Sequence, residues 1–426
     1  MDDLSRFCCL NSRCLDFGLR GAGNLTVTGR LGKSRQYRLL YCRTCRDRFS
    51  ERKGTPLYRA HLPEDKLTSI LEHITEGCGV LKTARLVKVH PDTVSRYSRA
   101  AGEHARAAHD ELVAHSPETR EIQIDEAWSF VAKKEKNCDE GEPEDRFRGD
   151  CWDHVAFDPE HRLVVSVVPG ERTAESVQEL VGDVKERLGG RIPGLITTDE
   201  YSAYEGAILE AFGTEVVPPR TGKPGRPRSP YKVAPEGLNY ATVHKTRTKG
   251  RVVDVATRVI FGTAATVPAA LADAVASRTV NTAFVERHNG TDRNRNARKV
   301  RKTYCFSKDW WIHRAATFFS KYSYNFCWPV RTLKARGGEA QTPAMMAKLT
   351  DHVWTLAEWI KRPAIQLAQV TTNICRTEGT ETAGLIRLPS DRRKWPTGAR
   401  MSTSRANDRI CRLSSGWFGV SRKRAR

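Results

Sequence analysis

The chain has 426 residues, with 71 Lys and Arg against 50 Asp and Glu and a formal net charge of +21. That balance points to a polyanionic partner held by salt-sensitive contacts, nucleic acid foremost, while the length and a hydrophobic content of 39% suffice for two or three domains with a real core. No apolar run reaches membrane-spanning length and the opening MDDLSRFCC lacks a signal-peptide pattern, so the sequence argues against a membrane partner and for a cytoplasmic, nucleoid-associated protein.

Residues 1–60 contain two cysteine pairs, Cys9 with Cys14 and Cys42 with Cys45. Two such knuckles read as a zinc ribbon, whose four thiolates close a tetrahedral Zn²⁺ site and stabilise a segment too small to fold on its own core. Cys8 is an alternative to Cys9 as the ligand, and a set of buried or redox cysteines is the plainer reading. Residues 61–112 have the rhythm of a helix-turn-helix: a helix over 64–76, a short one over 81–89, and a third opening at Pro91, a favoured first-turn position. On the third helix Thr93, Arg96 and Arg99 are expected to face a DNA groove while Val94 packs inwards. A plain helical linker with a basic face is the alternative.

Residues 113–330 carry the pattern of a catalytic domain. Strands are expected over 121–131, 151–158, 162–169 and 194–199, with a helix over 173–188 capped by Thr173 and striped by Val177, Val181, Val184 and Leu188. The alternation around REIQIDEAWSF places Asp125 on the polar face of a half-buried strand, and Glu126 on the apolar side, where an unpaired charge is costly. Asp199 closes the strand before a helical YSAYEGAILEAF, the position where sites in open α/β sheets lie. Glu286 falls in a helix with Asn289 and Arg293 on the same stripe. Singly, each acid has an ordinary explanation, as a cap or a surface ion pair. Together, three acids on three elements form a candidate catalytic triad, because phosphodiester chemistry with two divalent ions needs converging carboxylates. Three strands, a helix, a fourth strand and a later acidic helix is the element order of an RNase H-like fold.

Residues 214–262 read as an insertion. Its first half holds Gly225-Arg226-Pro227-Arg228, in which Arg226 and Arg228 flank an extended backbone suited to a narrow A·T minor groove; a phosphate-attracted linker is the alternative. Its second half reads as a basic β-hairpin turning at Lys249-Gly250, with Lys245, Arg247, Lys249 and Arg251 along DNA. The aromatics from Trp310 to Trp328 are expected to pack a last core helix, and residues 331–362 a closing helix pair. From 363 to 426 the composition is arginine-rich and aperiodic, which predicts a basic, disordered tail.

The order ribbon, helix-turn-helix, DE at Asp125, TD-x-Y-x-x-Y at Asp199 and ERHNGTDRNRNARKVRKTYCFSK around Glu286 resembles bacterial insertion-sequence transposases of the IS-one-like group, over roughly residues 5–330. The resemblance implies a multidomain α/β protein: zinc ribbon and helix-turn-helix, then an RNase H-like α/β/α domain with a basic β-hairpin insertion. It further implies a DDE triad of Asp125, Asp199 and Glu286 holding two Mg²⁺ or Mn²⁺ ions, with DNA cleavage followed by strand transfer. By the same motif Arg293, Arg295, Arg298, Lys299 and Arg301 become candidates for the DNA backbone. Double-stranded DNA, as element ends and target, is the implied partner, and pairing of two ends argues for a homodimer or larger assembly. A DNA-binding regulator without catalysis and a nuclease that hydrolyses but never joins are the rival classes.

Overall fold

A computed structural model describes residues 3–114, 118–139, 141–219, 228–334 and 338–365. Strands β1 (Leu25–Leu31), β2 (Tyr37–Cys42) and β3 (Arg48–Ser50) form a small antiparallel sheet in that order. Its core is little more than Phe7, Leu25, Leu40, Phe49 and three buried cysteines, which is scant apolar surface for a self-standing module. Helices α1 (Glu64–Thr75), α2 (Val80–Val87) and α3 (Pro91–Leu112) follow. Lys88 ends α2 in the left-handed region at φ 58°, and Pro91 opens α3 at once, so the chain turns sharply between them.

The central sheet is built from β4 (Glu121–Val131), β5 (Gly149–Asp158) and β6 (Leu163–Gly170), then α4 (Ala174–Arg187), β7 (Leu195–Thr198) and α5 (Ala203–Phe212). A two-stranded ribbon, β8 (Thr214–Val216) with β9 (Tyr231–Val233), precedes the long hairpin β10 (Tyr240–Thr248) and β11 (Arg251–Phe261). Strand order across the sheet is β11-β10-β7-β4-β5-β6. β4, β5 and β6 run as an antiparallel meander, β7 is parallel to β4, and β10 is parallel to β7. The hairpin is therefore not an insertion as expected. Tyr240, Ala241 and Thr242 pair with Ile196, Thr197 and Thr198, so the first turn of the hairpin strand completes the sheet and only its far end projects. Its tip is Lys249 at φ 50° and Gly250 at φ 78°, the paired positive angles of a tight hairpin turn.

The remaining elements are α6 (Thr266–Asp273), α7 (Ala283–Arg295), α8 (Trp310–Cys327), the pair β12 (Val330–Lys334) and β13 (Ala340–Gln341), and two short helices, α9 (Pro343–Met346) and α10 (Leu356–Lys361). The closing helix pair thus shrinks to one or two turns each. No helix among the described residues is long and apolar enough to cross a membrane. The tail from residue 366 onward lies outside the described residues, as does Arg226 of the arginine hook, while Arg228 is described and exposed.

One face of the sheet is covered by α4 and α5, which bury Ile122, Ile124, Val165, Ile196 and Tyr240. The other face is covered by α7 and α8, and this second core continues without a break into α1, α2 and α3 through Leu67, Ile70, Val94, Tyr97 and Ala105. Helix α3 runs on to Leu112 because its second half packs along α8: Gly102 lies against the Ala315 backbone, and His109 stacks on Tyr322 at 3.6 Å. The aromatics of α8 fill this core as expected, with Phe318, Phe319, Tyr322, Tyr324 and Phe326 buried. β4 is not half-buried: its polar side meets α7 and α8, and Glu121 and Gln123 are buried with their partners rather than solvated.

Candidate active site and thiol cluster

Gln123 shows how the sheet positions the acidic helix. Its buried side-chain oxygen accepts the backbone N–H groups of Phe284 (3.1 Å) and Val285 (3.3 Å), so two otherwise orphaned donors of the first turn of α7 are satisfied by β4 itself. Glu286 follows directly, and two residues along β4 from Gln123 stands Asp125. Asp199 lies just beyond β7, the strand that pairs with β4. Asp125, Asp199 and Glu286 line one cleft of about 740 Å³, together with Arg172, Lys245, Arg247, Thr282, Asn289, Arg293 and Arg301 among others.

Each acid is held by a different partner. Asn289 donates its Nδ2 to Oδ2 of Asp125 at 2.9 Å. Asp199 accepts the Tyr201 N–H at 3.1 Å through Oδ1, closing the turn into α5, while its Oδ2 lies 3.5 Å from Arg172. It therefore serves as a turn cap and faces the cleft at once. Glu286 accepts from the Thr282 hydroxyl at 2.6 Å and is ion-paired with Lys245. Burial foremost, and then the charges of Glu286 and Asp199, push the Asp125 carboxyl up to about 6 although the Asn289 hydrogen bond opposes them. The charges of Glu286 and Asp199 acting on Asp125 in this cleft are what a divalent cation would neutralise.

Glu126 is buried on the α4/α5 side, yet it is not unpaired. It takes Arg172 Nη2 at 3.1 Å and the Tyr204 hydroxyl, with His154 Nδ1 at 3.8 Å. Burial, then the nearby Asp199 charge, raise its carboxyl to about 7. Arg172 thus bridges Glu126 and Asp199, a role that no motif in the sequence announces. Lys245, read from sequence as a DNA contact on the hairpin, reaches into the cleft instead.

The remaining basic candidates separate into three groups. Arg247, Arg293 and Arg301 line the cleft. Arg96, Arg99, Arg228, Lys249 and Arg251 are exposed and Thr93 half-buried; Arg99 pairs with Glu103 at 2.9 Å. Arg295 and Lys299 are buried, which corrects their reading as backbone contacts: Arg295 lies 4.0 Å over the Trp328 ring, and Lys299 is enclosed by Asp153 and Asp292. Arg298 is half-buried between α1–α2 and α8, on a separate cavity. The sequence misled here because the arginines and lysines from Arg293 to Arg301 look alike, whereas the last turn of α7 buries Arg295 and the segment after it buries Lys299.

At the N-terminus the sulfurs of Cys9, Cys14, Cys42 and Cys45 all lie within 4.8 Å of one another, with Cys9–Cys45 at 3.5 Å and Cys14–Cys42 at 3.8 Å. Four sulfurs each about 2.3 Å from a tetrahedral zinc stand roughly 3.8 Å apart, so the set fits that ion. Cys8 is buried but outside the cluster, and its thiol is pushed up by burial. At Cys42 burial is outweighed by the N–H groups of Cys45 and Thr44, which bring the thiol down to about 7. A second group, Cys151, Asp153 and His313, is buried behind the sheet. Its ligand atoms are already engaged: Ser307 and Ser129 lie 2.9 and 3.2 Å from the two His313 nitrogens, and Lys299 donates to Asp153.

No protein-family model matches this sequence, and no curated protein matches it. Among solved structures the chain is similar to the Mos1 transposase paired-end complex with left transposon end, at 15% identity over 36% of this chain and 56% of that one, TM-score 0.15. The Mos1 mariner paired end complex with Mn matches at 14% identity with the same coverage and TM-score 0.15. A pre-cleavage Mos1 transpososome matches at 15% identity, 36% and 58% coverage, and TM-score 0.16. The chain spans little more than half the length of these chains.

Proposed function

We propose that the chain is a DDE transposase with an RNase H-like core, acting on double-stranded DNA. The observation that carries this reading is the convergence of Asp125, Asp199 and Glu286, from a central strand, a neighbouring strand end and a helix, on one cleft walled by Arg247, Arg293 and Arg301. The sheet order, with an antiparallel meander extended by two parallel strands, supports the fold assignment. Two Mg²⁺ or Mn²⁺ ions held by the three acids would supply an activated water and Lewis-acid stabilisation of the leaving oxygen. The chain's own part is to hold those carboxylates on one cleft: Gln123 docks α7, Asn289 orients Asp125, and Arg172 with the Tyr201 amide orients Asp199. The cleft arginines would take the phosphates on either side of the scissile bond. Once a 3′-hydroxyl is released, the same geometry serves its attack on target DNA, so no covalent protein intermediate is needed. We further propose a zinc ion in the four-cysteine cluster, recognition of element ends by α3 and the N-terminal module, and at least two protomers to pair two ends.

A second reading, a DNA-binding regulator without catalysis, is favoured by the ion pairs that Lys245 and Arg172 make with Glu286 and Asp199, which neutralise two of the three acids within the protein. A labelled duplex built from the DNA flanking the protein's own gene separates these readings. With Mg²⁺, cleavage and end-joining by wild type but not by Asp199→Ala support the transposase. Cleavage without joining supports a nuclease, and binding without any metal-dependent product supports the regulator.

A further inference from the structure

Behind the cleft, between β5, α7 and α8, four charged side chains are sealed from solvent: Asp153, Asp292, Lys299 and Lys321. Their formal charges cancel. Lys299 Nζ donates to Asp153 and, at 3.1 Å, to Asp292 Oδ2; Lys321 Nζ lies 3.6 Å from the same Asp292 oxygen. Ser320 donates to the other Asp292 oxygen at 2.6 Å. Such networks are expensive to bury and often no more stable than an apolar core of equal volume, which raises the question of what this one does besides hold itself together.

Lys321 supplies the answer by its third neighbour. Its Nζ lies 3.0 Å from Oδ1 of Asn289, whose Nδ2 lies 2.9 Å from Oδ2 of Asp125. A lysine ammonium offers three donors and no acceptor, and an ionised carboxylate only acceptors. Placed between the two, the asparagine amide has one workable orientation: oxygen towards Lys321, NH₂ towards Asp125. An apolar residue at 321 would leave the amide free to turn its oxygen on the carboxylate.

We infer that Lys321 is a positioning residue for Asp125, acting through Asn289: it locks the amide so that one oxygen of Asp125 is fixed from behind and the carboxylate is presented to the cleft at a single angle. This rests on the reading of the cleft as a divalent-cation site. Helix α8, which contributes no ligand, becomes the rigid support of the first acid, in the way outer partners orient metal ligands elsewhere.

The test is Mn²⁺ affinity by calorimetry on the full chain, with folding checked by thermal unfolding in metal-free buffer. Lys321→Met alone leaves a buried carboxylate short of a cation and risks unfolding, so the decisive variant is K321M/D292N, which removes one charge of each sign. We expect it to weaken Mn²⁺ binding roughly 10–100-fold, Asn289→Leu to do the same, and the triple variant K321M/D292N/N289L to be no weaker than Asn289→Leu, since both act on one hydrogen bond. A purely structural role would give additive losses. Unchanged affinity in folded K321M/D292N, or additivity in the triple variant, overturns the inference alone. Wild type whose Mn²⁺ binding is absent, or is indifferent to Asp125→Asn, refutes the site reading and the inference with it.

Discussion

Replacing Lys299 by Met separates the role the structure gives this residue from the one its place in a basic run suggests. Its ammonium sits between two carboxylates, and the side chains of Lys299, Asp153 and Asp292 are each at most 2% exposed. Removing the cation leaves a buried excess of negative charge, which costs about 3–5 kcal/mol when one partner of a buried pair is deleted. For a large cooperative unit, at roughly 2 °C per kcal/mol, that lowers the melting temperature by about 6–10 °C. The pH dependence carries a sign. Burial alone would raise the Asp292 carboxyl, but Lys299 and then Lys321 hold it well below the usual range. A depressed carboxyl contributes stability above its unfolded value and loses it only as pH falls through the folded one, so wild type keeps the contribution at pH 5. In the variant Asp292 keeps only Lys321 and is more readily protonated, so the deficit is largest at pH 8 and shrinks towards pH 5. Thermal unfolding by circular dichroism at the two pH values measures this. The charge-balanced K299M/D292N should recover most of the loss and, if it binds DNA, show the wild-type salt dependence. A stable Lys299→Met protein whose slope of log K against log salt drops by about 0.9 would refute the buried role and restore the phosphate contact.

Other expectations follow from the same physics. Cys42→Ser or Cys45→Ser should lose about one zinc per chain by metal analysis and unfold the N-terminal module, because its apolar core is too small without the ion; unchanged zinc content would refute the ribbon. Gly102→Ala should be destabilising by about 1–3 kcal/mol in urea unfolding, since an added Cβ would stand 2.1 Å from the Ala315 carbonyl oxygen and force α3 off α8. Asp125 carries a carboxyl raised to about 6, mainly by burial. Its charge therefore destabilises the metal-free protein above that pH, so Asp125→Asn should raise the melting temperature at pH 7.5 while abolishing Mn²⁺ binding, and wild-type Mn²⁺ affinity should fall as pH drops below about 6.

What the sequence disclosed tracks what is local. Strand and helix positions around Asp125 and Asp199 followed from period and caps: Thr173 accepts from Ser176 and opens α4 as its spacing suggests, and the Lys249-Gly250 turn lies where the hairpin should fold. What stayed hidden depends on pairing across the fold. Nothing in YATVH tells that Tyr240–Thr242 will lie parallel to β7, because a strand's partner is set by neighbours rather than by its own alternation. The polar residues of β4 looked solvated because Gln123 and Glu121 resemble any surface pair until α7 and the segment carrying Ser277 close over them. Arg172 and Lys321, which hold the site acids directly or through one amide, stand in segments whose composition is ordinary for a helix approach and a core helix.

Helix α3 is 22 residues long, about 33 Å from end to end. Its first turns expose Arg96, and its last turns are cemented into the same apolar mass that backs the sheet. The helix runs between them without interruption. If the proposed function holds, a duplex gripped at the outer end would meet the acidic cleft at a stand-off fixed by helix packing, and the cut would be chosen by distance from the bound sequence rather than by the identity of the bases there.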